Sequence, residues 1–193
     1  MHVLIIGKEE EERKKIEEFI RKESPGTQVI SLAGSEHIFD MIKAGRGKRL
    51  KIRTFGEFTV FESDRPVEFR YSKSLELFAL LVDRRGRSVD NDTIRKYLWQ
   101  ESDLETDHSS YISTLKNDVI QTLSELDESR VLRQDGQGIA VVPENVDCDF
   151  YSWTSGNDEG LVFEGRYMEQ YSWAEPTAGL LYSIAAYRSK TSR

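Results

Sequence analysis

The chain is poor in the residues that carry covalent and metal chemistry. It has one cysteine, Cys148, and three histidines, His2, His37 and His108. A lone cysteine excludes an internal disulfide and a cysteine-based zinc site. The histidines stand apart, with no metal-ligand spacing between any pair, so no metal is expected. Asp147-Cys148-Asp149 reads as a chain exit with one small buried thiol rather than a soft metal site. No apolar run approaches the roughly 18 residues of a membrane span. No signal-peptide pattern opens the chain, where Met1 leads straight into a strand. A cytoplasmic location without membrane contact is expected. There is no G-x-S-x-G nucleophile motif and no recognisable catalytic carboxylate pair, so neither enzymatic activity nor a cofactor is expected. An excess of basic charge is also missing. Against 27 Lys and Arg stand 34 Asp and Glu, a net charge of -7, which argues against non-specific attraction to nucleic acid or acidic membranes.

What is present falls into segments at 1–45, 46–49, 50–149 and 150–193. In the first, Val3–Ile6 form a short aliphatic run that Gly7 breaks. Ile16, Phe19 and Ile20 recur at helical spacing on a charged helix over 9–22. Ser24-Pro25-Gly26 precedes a second strand, Gln28–Leu32, and Ser35 caps a short helix to Lys43. The basic, glycine-rich stretch around 46–49 reads as a solvated linker, since its spacing does not match a phosphate-binding loop.

Residues 50–149 change period. "LKIRTFGEFTVFESDRPVEFRY" has short, loosely alternating runs broken at Gly56 and at Ser63-Asp64-Arg65-Pro66, as in an antiparallel meander. "SKSLELFALLVDRRG" is an apolar helix ending at Gly86. "SVDNDTIRKYLWQ" is a second, capped by Ser88 or Asp90. In "HSSYISTLKNDVIQTLSEL", Ile112, Leu115, Val119, Leu123 and Leu126 make one apolar stripe. "RVLRQDGQGIAVVP" reads as strand, glycine turn and strand. Strands, three helices and a hairpin make a winged helix-turn-helix with an N-terminal antiparallel sheet and a C-terminal wing. Residues 150–193 are rich in aromatics, which cover a neighbouring core at this density. A final short helix carries Leu180, Leu181, Ile184 and Tyr187.

Four pieces, "LKIRTFGEFTVF", "SKSLELFALLVDRRGRSVDNDTIRKYLW", "YISTLKNDVIQTL" and "GQGIAVVPENVDCDFYSW", resemble the winged-helix domain of the bacterial response-regulator class (OmpR/PhoB-type), in the form found beside the bacterial transcriptional activator domain. "EGRYMEQYSWAEPTAGLL" is similar to the C-terminal extension of one branch of that family. The first 43 residues resemble the opening of a receiver domain, a truncated βαβα segment. A receiver binds Mg²⁺ through an acidic pair after its first strand and is phosphorylated on an aspartate after its third. Here Gly7-Lys8 occupy the first position and no third strand follows, and Mg²⁺ needs carboxylate oxygens. The resemblance therefore implies a two-component-type regulator without a phosphorylation site.

In the helix-turn-helix mode the last helix reads base edges in the major groove. Its apolar stripe leaves Ser110, Ser113, Thr114, Asn117 and Gln121 exposed, flanked by Tyr111 and Lys116. Asn and Gln pair bidentately with adenine, and Ser and Thr bond to any base. Arg133, Gln134 and Gln137 are the wing candidates. Arg84, Arg85, Arg87, Arg95 and Lys96 join Lys116 as phosphate candidates. Against this, residues 50–149 hold 13 basic and 20 acidic side chains, and phosphate neutralisation supplies most non-specific affinity. The expected partners are promoter DNA, RNA polymerase and a second copy joined through residues 1–45, whose two parallel strands would leave open edges. The alternative is a protein-interaction adaptor that keeps the winged-helix scaffold without binding DNA.

Overall fold

The computed structural model describes residues 2–6, 9–24, 28–32, 50–99, 108–157 and 160–191. The turn at Gly7-Lys8, the expected helix 35–43 with His37, and the linker lie outside the described residues. The chain forms two compact units, Met1–Gly47 and Lys48–Arg193.

In the first unit, β1 (His2–Ile6) and β2 (Gln28–Leu32) pair in parallel, from His2 opposite Gln28 to Ile6 opposite Leu32. A parallel pair needs a crossover, and α1 (Glu10–Glu23) provides it. Glu10, Glu11 and Glu12 fill its first turn and Arg21 and Lys22 its last, each favourable to the helix dipole. The apolar spacing overstates how deeply this helix is buried. Ile16 and Phe19 remain 47% and 64% exposed. Two strands offer a narrow face, and the half-buried line of α1 runs through Arg13, Glu17, Ile20 and Ser24 instead.

The second unit begins with β3 (Leu50–Arg53), β4 (Thr59–Glu62) and β5 (Arg65–Pro66), an antiparallel meander. Three helices follow: α2 (Ser72–Asp83), α3 (Asn91–Leu98) and α4 (Ser109–Glu125). The wing is β6 (Leu132–Asp135) and β7 (Gly138–Val141), paired antiparallel. Then come β8 (Asp147–Cys148), α5 (Asp149–Ser155) and α6 (Glu175–Thr191). The unit is α+β. α2 is its hub, because Leu77 to Val82 are buried all round the helix. From α4, Ile112, Leu115, Val119 and Leu123 enter the same core, and Leu126 is half-buried where the helix ends. The second helix is capped by Asp90, whose carboxylate accepts from Thr93 N at 2.7 Å.

Three sequence expectations need correction. The four-stranded sheet is mixed, ordered β5-β4-β3-β8, because β8 returns from beyond the wing to pair in parallel with β3. A carboxylate holds it there. Asp149 accepts from Thr54 N, Thr54 Oγ1, Phe55 N and Phe150 N, at 2.6 to 3.0 Å. Cys148 beside it is buried, and burial pushes its thiol pKa well up. Second, α2 stops at Asp83, short of Gly86; Arg85 and Gly86 take left-handed backbone, φ 50° and 81°. Third, the last helix is not short but spans 17 residues.

Residues 150–193 share the core of the winged helix. Phe150, Trp153, Tyr167, Met168 and Leu181 are buried within one cluster with Leu50, Phe78 and Leu115. Polar bonds fix the register. The Tyr167 hydroxyl donates to Asp83 at 3.0 Å, and the Tyr151 hydroxyl to Val82 O at 2.7 Å. Gln170 pairs with the Phe58 backbone through both ends of its amide. Burial pushes both tyrosines well above the usual phenol range.

Candidate nucleic-acid interface

α4 is anchored at its N-terminal end by ring contacts. At its start the His108 ring stacks on Trp99, centroids 4.3 Å apart. Tyr111 meets the rings of Trp99 and Tyr71 edge-on at 5.9 and 6.4 Å. Tyr111 thus anchors the helix although 38% of it is exposed. The opposite face carries Ser110, Ser113, Thr114, Asn117 and Gln121, all exposed. The Ser113 and Thr114 hydroxyls donate back to Ser109 O and Ser110 O, both at 3.0 Å. Gln121 donates to Glu125 at 2.9 Å. Asn117 has both ends of its amide open to a ligand.

Lys116 sits lower on the same helix. It donates to Asn91 Oδ1 at 2.6 Å, and partial burial lowers its pKa despite nearby Asp90. It therefore ties α4 to the start of α3.

The wing is anchored by one turn. Asp135 accepts from Gln137 N and Gly138 N at 2.9 and 3.0 Å, closing the hairpin. It also accepts from Ser88 Oγ and Arg133 Nη1, both at 2.7 Å. These bonds, that of Ser88 first, hold its pKa below the usual carboxylate range. Arg133 donates onward to Gly86 O at 2.6 Å. Val89 and Ile139 exchange backbone hydrogen bonds at 2.8 and 3.1 Å, so the residue before the α3 cap acts as a third wing strand. Gly138 makes this possible: its φ is +148°, and a Cβ there would lie 2.2 Å from Val89 O.

α4, α3 and the wing turn border an open groove of about 390 Å³, lined by Asp90, Asn91, Asp92, Lys116 and the turn Asp135–Gly138. Gln137 belongs to that lining, and Gln134 is exposed on β6. The remaining cations are scattered. Arg95 pairs with Asp92 at 3.2 Å. Lys96, near the other end of α3, lines a separate groove of about 940 Å³ with Trp99 and Trp173. Arg84 lies over the Tyr97 ring at 4.4 Å, and Arg85 over Phe150 at 3.9 Å. Both are thereby committed to aromatic faces of the unit. Arg87 is exposed and folds its Nε onto Arg84 O at 3.3 Å. The structure thus brings Lys116 together with the wing turn, keeps the polar row exposed on the same helix, and leaves Arg84, Arg85 and Lys96 elsewhere. The bonds of Asn91 to Lys116 and of Ser88 to Asp135, and with them the structural use of Asp135, escaped the sequence reading, which offered Ser88 only as a helix cap. The hairpin signal "DGQG" carried a hint of the last. Among the described residues no group of three His, Cys, Asp or Glu side chains is placed to hold a metal ion. No described helix is long and apolar enough to cross a membrane.

No protein-family model matches the chain, and no curated protein does. A solved structure does: Mycobacterium tuberculosis EmbR in complex with a low-affinity phosphopeptide. It is 21% identical with a TM-score of 0.53, over 72% of this chain and 43% of that one. At that identity the likeness bears on fold alone. It supports a winged-helix fold. The chain spans less than half the length of EmbR.

Proposed function

We propose that the protein is a sequence-specific, DNA-binding transcription regulator that acts at promoters without a chemical step. The exposed polar row from Ser110 to Gln121, on a helix whose Lys116 lines one groove with the wing turn, carries this reading. Asn117 and Gln121 take base edges, Ser110, Ser113 and Thr114 support them, and Gln134 and Gln137 reach from the wing. Arg87, Arg95 and Lys116 supply the phosphate contacts within reach of this arrangement. The receiver-like unit docks and dimerises but does not accept a phosphoryl group, since Gly7-Lys8 offers no metal-binding carboxylate. The reading places the protein in the bacterial cytoplasm, as a homodimer joined through residues 1–45, with RNA polymerase as a further partner.

One observation favours the adaptor reading instead. The groove between α4 and the wing carries Asp90, Asp92 and Asp135 against Lys116, which opposes a phosphate backbone. Selection of genomic DNA fragments by the purified full chain separates the two. Enrichment of one defined motif is expected. Recovery without a motif, at affinities equal to those for random DNA, would replace this reading with the adaptor.

A further inference from the structure

The outer face of α6 is apolar where a surface helix is normally polar. Its inward side is plain. Leu181 is buried, Ala178, Ile184 and Ala185 pack against the core, and Arg188 donates to Trp153 O at 2.8 Å. The opposite line, at three- and four-residue spacing, is Pro176, Gly179, Leu180, Ser183, Ala186 and Tyr187, all exposed. Leu180 is 54% and Tyr187 72% exposed. Gly179 is unfavourable inside a helix, and its own chain offers no reason for it: a Cβ there would meet nothing within 4 Å. Such a position suits close approach by something outside the chain.

We propose that this face pairs with α6 of a second copy, antiparallel, across a twofold axis at Ser183. Such an interface is isologous, so each flank meets the same flank of the other copy. On one flank Leu180 then lies against Tyr187 of the second copy, twice by symmetry. On the other, Gly179 lies against Ala186, where the absence of bulk lets the backbones approach. Charge selects the same orientation. Glu175 opens the helix and Lys190 stands near its end, both exposed. The register that joins Leu180 to Tyr187 also brings Glu175 beside Lys190 of the second copy. A parallel pair would set like charge against like.

This twofold is independent of the DNA-binding reading and is an alternative to the strand edges of residues 1–45, since two unrelated twofold surfaces on one chain would build open assemblies rather than a dimer. It is tested on the full chain by light scattering after size exclusion across the micromolar range. The parent is expected to dimerise. Leu180→Asp should weaken the dimer by about tenfold or more, which is about 1.4 kcal/mol. Gly179→Leu, at a site with open space in its own chain, should do the same while the melting temperature holds. Glu175→Lys or Lys190→Glu should each weaken it by about two- to fivefold, and the double exchange should restore it. A parent that stays monomeric overturns the proposal. So does a dimer indifferent to both Gly179→Leu and the charge exchange, which would belong to residues 1–45. Motif enrichment is scored separately, so loss of this dimer and loss of DNA reading are distinguishable.

Discussion

Replacing Gly138 by alanine should release the wing from the body of the winged helix. The new Cβ would fall 2.2 Å from Val89 O, 2.6 Å from Val89 C and 3.0 Å from Asp90 N. All three are backbone atoms, so no side chain can swing aside. The two hydrogen bonds between Val89 and Ile139 must open, at about 1 kcal/mol net each. Holding alanine at φ +148° adds about 1–2 kcal/mol of strain if the turn stays put. The expected loss is about 2–4 kcal/mol. For a unit of this size each kcal/mol moves the melting temperature by roughly 2–4 °C, so the transition should fall by about 4–16 °C.

Gly136 supplies the control. It lies in the same turn, and a Cβ there meets nothing within 4 Å. Gly136→Ala should stay within about 0.5 kcal/mol of the parent. Thermal unfolding followed by circular dichroism reads both. If Gly138→Ala melts with Gly136→Ala and the parent, the close approach of the wing to Val89 does not hold the fold.

Asp149→Ala should destabilise more broadly, by about 3–5 kcal/mol, because several charge-assisted bonds to Thr54, Phe55 and Phe150 vanish together; denaturant titration checks it, and a loss under about 1 kcal/mol refutes it. Asn117→Ala and Gln121→Ala should each relax base preference on the selected motif by about 1–3 kcal/mol, with Asn117 the larger because Gln121 is shared with Glu125. Equal binding of matched and mismatched duplexes by the parent would void that assignment. Asp92→Asn removes a carboxylate from the groove and frees Arg95 from its ion pair, so binding to every sequence should strengthen and the salt slope should steepen by about one unit. An unchanged slope would mean that Arg95 never reaches a phosphate.

The order of strands, three helices and hairpin was legible because each element carries its own periodicity. The exposed row on α4 followed directly from the stripe of Ile112, Leu115, Val119 and Leu123. What escaped was non-local. The bond from Asp149 to Thr54 spans 95 positions, and a two-residue strand such as β8 has no period to detect. The pairing of Val89 with Ile139 is one residue wide. Arg84 and Arg85 read as free cations because nothing local predicts that Tyr97 and Phe150 will lie beneath them. The apolar residues Leu180, Leu181, Ile184 and Tyr187 mark only the middle of α6, which begins earlier, at Glu175, with Pro176 in its first turn where proline is suited.

The acidic balance of residues 50–149 also changes meaning once side chains have places. Asp149 and Asp83 are bonded to Thr54 and to Tyr167, so neither is held against α4 or the wing. Glu128 is buried against Arg130 at 3.2 Å. Around the groove stand Asp90, Asp92 and Asp135, with Lys116, Arg95 and Arg133 bonded among them or to neighbouring backbone and amide groups. Three charges of each sign leave the local balance near zero rather than strongly negative. Each cation there is already engaged inside the fold, however, and must leave a partner to meet a phosphate. Base discrimination can therefore be as large as in a basic domain while the phosphate contribution is small. Under the proposed DNA-binding reading a second copy adds most, because two weak phosphate footprints on one duplex raise occupancy through effective concentration without any new contact.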